Sequence, residues 1–308
     1  MIVVAGESLV DLVARADGNV TATPGGGPYN VARALGRLGA AVAFLGRIST
    51  DPFGRILRAG LAADGVDPGC VTSTDDPTML AVAEIAADGS AAYRFYTHGT
   101  AAAGLAGADV SAGLPAATTA LHVGSLGLVL EPMAATIERL VLEAPAGVLV
   151  VADPNCRPAA IDDPPAYRAR LHRLLRRVDV VKVSTEDLAW LEPDRDPLEA
   201  ARRLLQRGPR VLLLTDGPRP VRVVTKHDAA VLEVPDVPVA DTIGAGDAFG
   251  AGFLAAWTRT GRGRAELSDP EAVLEATRFA IEIGARTVGR AGADPPTSAE
   301  LRRVVPGW

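Results

Sequence analysis

Val148-Leu149-Val150-Val151-Ala152 runs directly into Asp153-Pro154-Asn155-Cys156-Arg157. A short apolar run rich in valine suits a strand buried on both faces. The polar residues and the proline stop it abruptly. The same form recurs further along. Val180-Val181-Lys182-Val183 precedes Ser184-Thr185-Glu186-Asp187, and Val211-Leu212-Leu213-Leu214 precedes Thr215-Asp216-Gly217. Strands are expected at 119–123, 147–152, 178–183 and 210–215, with helix-like segments near 131–143, 165–177, 185–192 and 196–207 between them. Continuous apolar strands alternating with helices predict an α/β fold, a doubly wound, mostly parallel sheet with helices on both sides.

Toward the N-terminus, Ile2-Val3-Val4-Ala5-Gly6 reads as the first buried strand. Gly25-Gly26-Gly27-Pro28 opens a helix with Val31, Leu35 and Leu38 on one face, ending at Gly39. Ala41 to Leu45 reads as a strand, and Phe53 to Asp64 as a helix stopped by Gly65. Two segments break the alternation. Leu9–Val13 and Val20–Thr23 flank Asp17-Gly18-Asn19, a hairpin turn signal. Thr78–Ile85 and Ala91–Thr97 flank a second turn at 86–90. These hairpins, at about 11–24 and 76–97, are expected to form a small inserted β-sheet that closes as a lid. The same sheet is a candidate contact for a homodimer. After residue 215 an antiparallel pair is expected at 221–225 and 230–234, then helices near 246–259 and 270–287. With no internal repeat and no linker, the chain reads as a single domain, 1–308.

Composition excludes several classes. Net charge is −6, against a nucleic-acid partner. No segment reaches about 18 uninterrupted apolar residues, so no membrane span is expected. Met1 to Glu7 shows no basic start or long apolar run, so no secretory leader is expected. The two cysteines, Cys70 and Cys156, make no disulfide scaffold and fit a reducing cytoplasm. The four histidines lack metal spacing. Of 31 basic residues only Lys182 and Lys226 are lysines, which reads as genomic composition.

The chemistry concentrates in Asp241-Thr242-Ile243-Gly244-Ala245-Gly246-Asp247-Ala248-Phe249. Glycines expose successive backbone N–H groups, and the apolar stretch that follows suits a buried helix whose N-terminus adds positive charge. That combination holds an anion. A carboxylate inside it, Asp247, is unfavourable beside a phosphate unless it takes a proton from an attacking hydroxyl. The plain alternative is an Asp in the first turn of a helix. The chain has neither a Gly-x4-Gly-Lys-[Ser/Thr] loop nor a Gly-x-Gly-x-x-Gly run after a strand. Open α/β sheets place ligands at the carboxyl ends of strands. Asp11, Asp153, Ser184 and Thr215 follow strands in this way, though each alone also reads as a cap or turn.

The chain resembles the ribokinase-like (PfkB) carbohydrate kinases over nearly its whole length. The stretch from Gly25-Gly26-Gly27-Pro28-Tyr29-Asn30 to Leu38-Gly39 resembles their N-terminal signature, and Asp241–Phe249 their C-terminal one. The resemblance implies ATP, Mg²⁺ and, through a cation loop, K⁺. It implies Asp247 as base, and Gly244, Ala245 and Gly246 with the Asp247 N–H as anion hole. It places Asp11, Gly26 and Asn30 on the sugar. The second hairpin leads into further sugar-site candidates, Phe95 and Thr97, and Arg157 either contacts the sugar or neutralises charge near the phosphates. Ser184, Thr215 and Gly217, with Gly244 and Gly246, match the nucleotide site. Asp241 and Ile243 match the cation loop, its other half near 288–293. The family's Asn-x-x-Glu is Ser184-Thr185-Glu186-Asp187 here, which leaves Asp187 or Glu186 to order a magnesium-bound water.

Gly6-Glu7-Ser8-Leu9-Val10-Asp11, His122-Val123-Gly124-Ser125 and Asp153-Pro154-Asn155-x-Arg157 resemble bacterial fructokinases. Thr97 stands where an acid-sugar kinase needs a cation, with Arg94 three residues earlier, so a neutral sugar is expected. The leading expectation is a cytoplasmic ATP-dependent kinase for a primary hydroxyl of a small sugar, fructose to fructose 6-phosphate. The alternatives are 2-keto-3-deoxygluconate, ribose or nucleoside kinases, or a non-catalytic sugar-binding regulator.

Overall fold

The computed structural model describes residues 1–15, 18–85 and 91–303. Its strands are β1 (Ile2–Ala5), β2 (Leu9–Arg15), β3 (Val20–Gly25), β4 (Val42–Ser49), β5 (Val71–Thr74), β6 (Met79–Ile85), β7 (Ala91–Tyr96), β8 (Ala120–Gly124), β9 (Leu149–Asp153), β10 (Val180–Ser184), β11 (Val211–Asp216), β12 (Arg219–Val224) and β13 (Ala229–Leu232). Its helices are α1 (Gly27–Arg37), α2 (Pro52–Ala63), α3 (Met133–Leu142), α4 (Pro164–Leu175), α5 (Thr185–Leu191), α6 (Pro197–Leu205), α7 (Ala245–Arg259), α8 (Pro270–Val288) and α9 (Ser298–Leu301).

The main sheet runs β13-β12-β11-β10-β9-β8-β1-β4-β5. All pairs from β11 to β5 are parallel, and β12 and β13 add an antiparallel edge. Strand alternation sorts the side chains to two faces. Ile2, Val4, Ala120, Leu149, Val151, Val180 and Leu213 join one core with α1, α2, α7 and α8. Val3, Ala5, Leu121, Val150, Val181 and Leu212 join the other with α3, α4, α5 and α6. Both faces are covered, which is why these strands are apolar throughout. The expected doubly wound architecture is present, with most element ends displaced by one or two residues and β4 running four residues past the expected Leu45 to Ser49. Strand β5 was not expected. Its Val71-Thr72-Ser73-Thr74 carries one apolar residue and takes its place by pairing with β4.

The chain leaves β1 toward β4 on one side and builds β8 to β11 on the other. The order therefore reverses between β1 and β8, the place where open α/β sheets hold ligands. The expected small inserted sheet grows from this end. Strands β3-β2-β6-β7 form a separate sheet, with β2 and β3 antiparallel, β2 and β6 parallel, and β6 and β7 antiparallel. Its inner face packs Leu9, Met79 and Ala81 against Ala102, Ala103 and Leu126. The hairpin turn residues at 16–17 and 86–90 lie outside the described residues. Among the described residues, no helix is long and apolar enough to cross a membrane.

Candidate active site

Gly244 is the N-cap of α7 and has φ 73°, a left-handed conformation that a side chain disfavours. A Cβ there would stand 2.5 Å from Ala293 Cβ. Glycine is thus needed twice over, for backbone shape and for space. The turn leaves the first N–H groups of a 15-residue helix without helical partners at the sheet's carboxyl end. Asp247 sits in that first turn, 8% exposed. Asn30, on α1, donates from Nδ2 to Asp247 Oδ2 at 2.9 Å. Asn30 Oδ1 is buried with no partner in the described structure. Burial pushes the Asp247 carboxyl up to about 6; Asn30, Lys182 and Arg157 oppose the rise and Asp153 adds to it.

Across from α7 lies the lid. Thr23, Asp11, Ala81 and Phe95 pair laterally across four strands and so share one face. That face is the inner one. A Cβ on Gly25 would fall 2.0 Å from Asp11 Oδ2, so the carboxylate lies against the Gly25 backbone where α1 begins. Burial pushes Asp11 up to about 6, against the pull of Arg157. Gly26 caps α1 with φ 107°. Thr97 lies just past β7, its carbonyl accepting from Thr100 Oγ1 at 2.7 Å. Arg94 neighbours Phe95 along the strand, so it falls on the opposite, outer face and is exposed. Arg157 Nη1 donates to the carbonyls of Asn155 at 3.3 Å and Cys156 at 3.0 Å, and its charge acts on Asp11, Asp187 and Asp247 together.

The expected nucleotide residues lie at the next strand ends. Ser184 is the N-cap of α5, its Oγ accepting from Asp187 N at 3.0 Å. Thr215 is the next-to-last residue of β11, its Oγ1 3.5 Å from Val183 O, and Gly217 turns at φ 58° into β12. Asp187 is buried, its Oδ1 accepting from Cys156 N at 2.9 Å, which ties the loop after β9 to α5. Glu186 is exposed. Asp241 accepts from Ile243 N at 3.0 Å and from Gly292 N at 2.9 Å, so 241–243 and 288–293 lie side by side. Ile243 is 55% exposed. Among the described residues, no group of three or more His, Cys, Asp or Glu could hold a metal directly.

Sequence reasoning missed three buried polar groups here. Glu7 is fully buried, its two oxygens accepting from Gly27 N at 3.2 Å and Gly127 N at 2.9 Å. It joins the start of α1 to the turn after β8. Burial pushes it up to about 7, opposed by those bonds and one from Ser125. Lys182 is buried on β10 and donates from Nζ to Asp153 Oδ2 at 2.8 Å. His122, on β8, is held neutral, its proton affinity lowered to about 3 by burial and Lys182. The usable signal was the break in Val180-Val181-Lys182-Val183: a charge inside a strand buried on both faces needs a partner.

These features match known proteins. The pfkB family carbohydrate kinases match residues 1–300. A fructokinase of Rhizobium leguminosarum bv. trifolii is 36% identical over 261 residues, covering 83% of this chain and 79% of its own. Fructokinase-1 of Oryza sativa subsp. japonica is 32% identical over 317 residues, covering 99% and 97%. Among solved structures, the ATP-bound fructokinase of Xylella fastidiosa superposes with a TM-score of 0.89 at 29% identity, covering 99% of this chain and 97% of its own. The Vibrio cholerae O395 fructokinase in its fructose, ADP and calcium ion bound form gives 0.84 at 27% identity, covering 98% and 97%. A buried carboxylate in a glycine loop at the head of a helix, a separate small sheet beside it, and a family match across nearly the whole length lead to one assignment: the chain belongs to the PfkB family of carbohydrate kinases.

Proposed function

We propose that this kinase transfers the γ-phosphate of ATP to the primary hydroxyl of fructose, giving fructose 6-phosphate. The observation that carries the reading is the Asn30–Asp247 bond. It joins a residue of the N-terminal signature to the carboxylate of the C-terminal one. Asn30 engages Oδ2, and we assign Oδ1 to take the hydroxyl proton. A carboxyl raised to about 6 is ionised near neutrality and a better base than an ordinary aspartate. The hydroxyl oxygen forms the new P–O bond as the bond to ADP breaks, and its proton stays on Asp247. The N–H groups of Gly244, Ala245, Gly246 and Asp247 hold the charge on the transferring group.

Asp11, Gly26, Asn30, Phe95 and Thr97 are assigned to the sugar. Arg94 on the outer face of the lid supports a neutral substrate, as does Arg157 with three acidic neighbours. Ser184, Thr215 and Gly217 are assigned to the nucleotide. Mg²⁺ supplies charge neutralisation between the phosphates and is taken as bound through ATP and water, with Asp187 as an outer partner. The joined loops at 241–243 and 288–293 are the place assigned to K⁺. The two free cysteines suit a cytoplasmic setting, and the exposed edge strand β3 is the surface assigned to a homodimer.

A coupled ADP-release assay over about ten sugars tests the substrate. Fructose is expected to give the highest kcat/KM, with 2-keto-3-deoxygluconate poor. A strong preference for the keto-acid overturns the neutral-sugar reading and points to Arg157 as its cation.

A further inference from the structure

Only two of the 31 basic residues in this chain are lysines. Everywhere else but Lys226 the chain uses arginine. Lys182 is also the one 5% exposed, while Lys226 sits in an exposed turn. Its surroundings explain the choice. A Cβ on Gly246 would stand 2.8 Å from Lys182 Nζ. The ammonium therefore lies directly under the Gly246 peptide, with Asp153 Oδ2 2.8 Å away as its anchor. A guanidinium is larger than an ammonium and planar, and it cannot fit between that peptide and Asp153. The small side of Gly246 and the small head of Lys182 thus fit each other.

The placement follows from strand alternation. Lys182 shares the sheet face of Val180, and Asp153 that of Val151, the face on which α7 packs. Asp153 Oδ1 is buried with no partner in the described structure. A charge pair in a core is costly, and a pair of well-packed apolar residues generally serves stability as well. This pair sits under the helix end that the proposed function assigns to the transferring phosphoryl group.

We propose that Lys182 is a positioning residue for phosphoryl transfer: its ammonium, anchored by Asp153, adds a fixed positive charge beneath the anion site formed by the first turn of α7. The inference rests on the reading of Asp247 as the base. Lys182 faces three carboxylates, those of Asp153, Asp247 and Asp187, and the neutral His122. Asp247 in turn faces Lys182, Asp153 and Arg157, and is bonded by Asn30. Lys182 favours the ionised base and Asp153 opposes it. The pair sets the proton affinity of the base from below while Arg157 acts from the loop after β9. As the proton reaches Asp247 and charge gathers on the transferring phosphoryl group, the ammonium stays in place and needs no rearrangement.

The test compares Lys182→Met, Asp153→Asn and Asp247→Asn in the intact enzyme at saturating fructose and MgATP, with kcat followed from pH 5 to 9. Removing the ammonium moves the acid limb of Lys182→Met up by about one pH unit, the size expected for a unit charge nearby in a protein interior. Removing the carboxylate moves the limb of Asp153→Asn down. Fructose affinity by calorimetry stays within about threefold in both variants, because the pair faces the phosphate loop and not the lid. Opposite displacements are not a result that loosened packing produces. Limbs that coincide with wild type, or that move the same way, overturn the proposal. If Lys182→Met does not fold, Asp153→Asn decides alone: an acid limb that stays or rises overturns it. Near-normal turnover in Asp247→Asn defeats the base reading itself, a different failure from an inactive Asp247→Asn with unmoved limbs in the other two.

Discussion

Replacing Asp247 by Asn is expected to make the protein more stable and nearly inactive. In the folded chain burial raises the carboxyl from its ordinary 3.8 to about 6. The native state therefore holds a proton over a range of pH in which the unfolded chain has already lost it. Where the native state binds more protons, stability falls as pH rises. The loss starts near the unfolded value and is complete above about pH 6. A shift of about two units corresponds to about 3 kcal/mol of destabilisation at neutral pH. Asn keeps the shape and can still accept from Asn30 Nδ2, but carries no charge. Urea unfolding of the ligand-free proteins should show Asp247→Asn more stable than wild type by about 3 kcal/mol at pH 8, and by about half of that at pH 5. The same variant should lose about 10²- to 10⁴-fold in kcat, the usual contribution of a positioned base. A stability difference that is the same at both pH values, or that favours wild type at pH 8, would refute the reasoning. It would mean that the carboxylate is not desolvated and owes its position to something other than the reaction.

Further outcomes follow from neighbouring groups. Gly244→Ala must adopt a left-handed residue at a cost of about 1–2 kcal/mol and push against Ala293. We expect kcat to fall about 10²-fold by displacement of the anion-hole N–H groups, with fructose binding by calorimetry retained; normal turnover would remove the loop from the reaction. Glu7→Gln turns one of two acceptors into a donor facing a backbone N–H and should cost about 1–3 kcal/mol at pH 6. Because wild-type Glu7 is raised to about 7, the deficit should shrink by pH 8.5, and a deficit independent of pH would contradict its buried charge. Amide exchange in Leu9–Arg15, Val20–Gly25 and Met79–Ile85 should slow when fructose and a non-hydrolysable ATP analogue are added. Unchanged exchange there, with protection elsewhere, would mean the sheet does not close.

The main sheet was legible because its strands are buried on both faces, which leaves uninterrupted valine and leucine runs. The small separate sheet was legible because its hairpins break that pattern. The site was legible only where one segment carries its chemistry, as in Gly244 to Asp247. Ser184 and Asp187 read as ligands in the sequence; the structure adds that Ser184 Oγ caps α5 and Asp187 Oδ1 accepts from Cys156 N, bonds that the local sequence does not reveal. The partners of Lys182 and Glu7 were not legible, although a charge inside the run Val180-Val181-Lys182-Val183 marks Lys182 as needing one. The partner of Lys182 is 29 positions away on another strand, and those of Glu7 are 20 and 120 positions away. Local periodicity carries no information at such separations.

The Asn30–Asp247 bond spans 217 positions, and this has a consequence for synthesis. Domains tend to fold from the N-terminus as the chain emerges. The lid, α1 and most of the parallel sheet leave the ribosome first, while the base and its glycine loop come near the end. A nascent chain is therefore without its base until α7 docks onto α1 and completes the cleft. Truncated products lacking the last helices carry the small sheet and α1 without Asp247, so under the proposed function incomplete translation yields a chain that does not spend ATP.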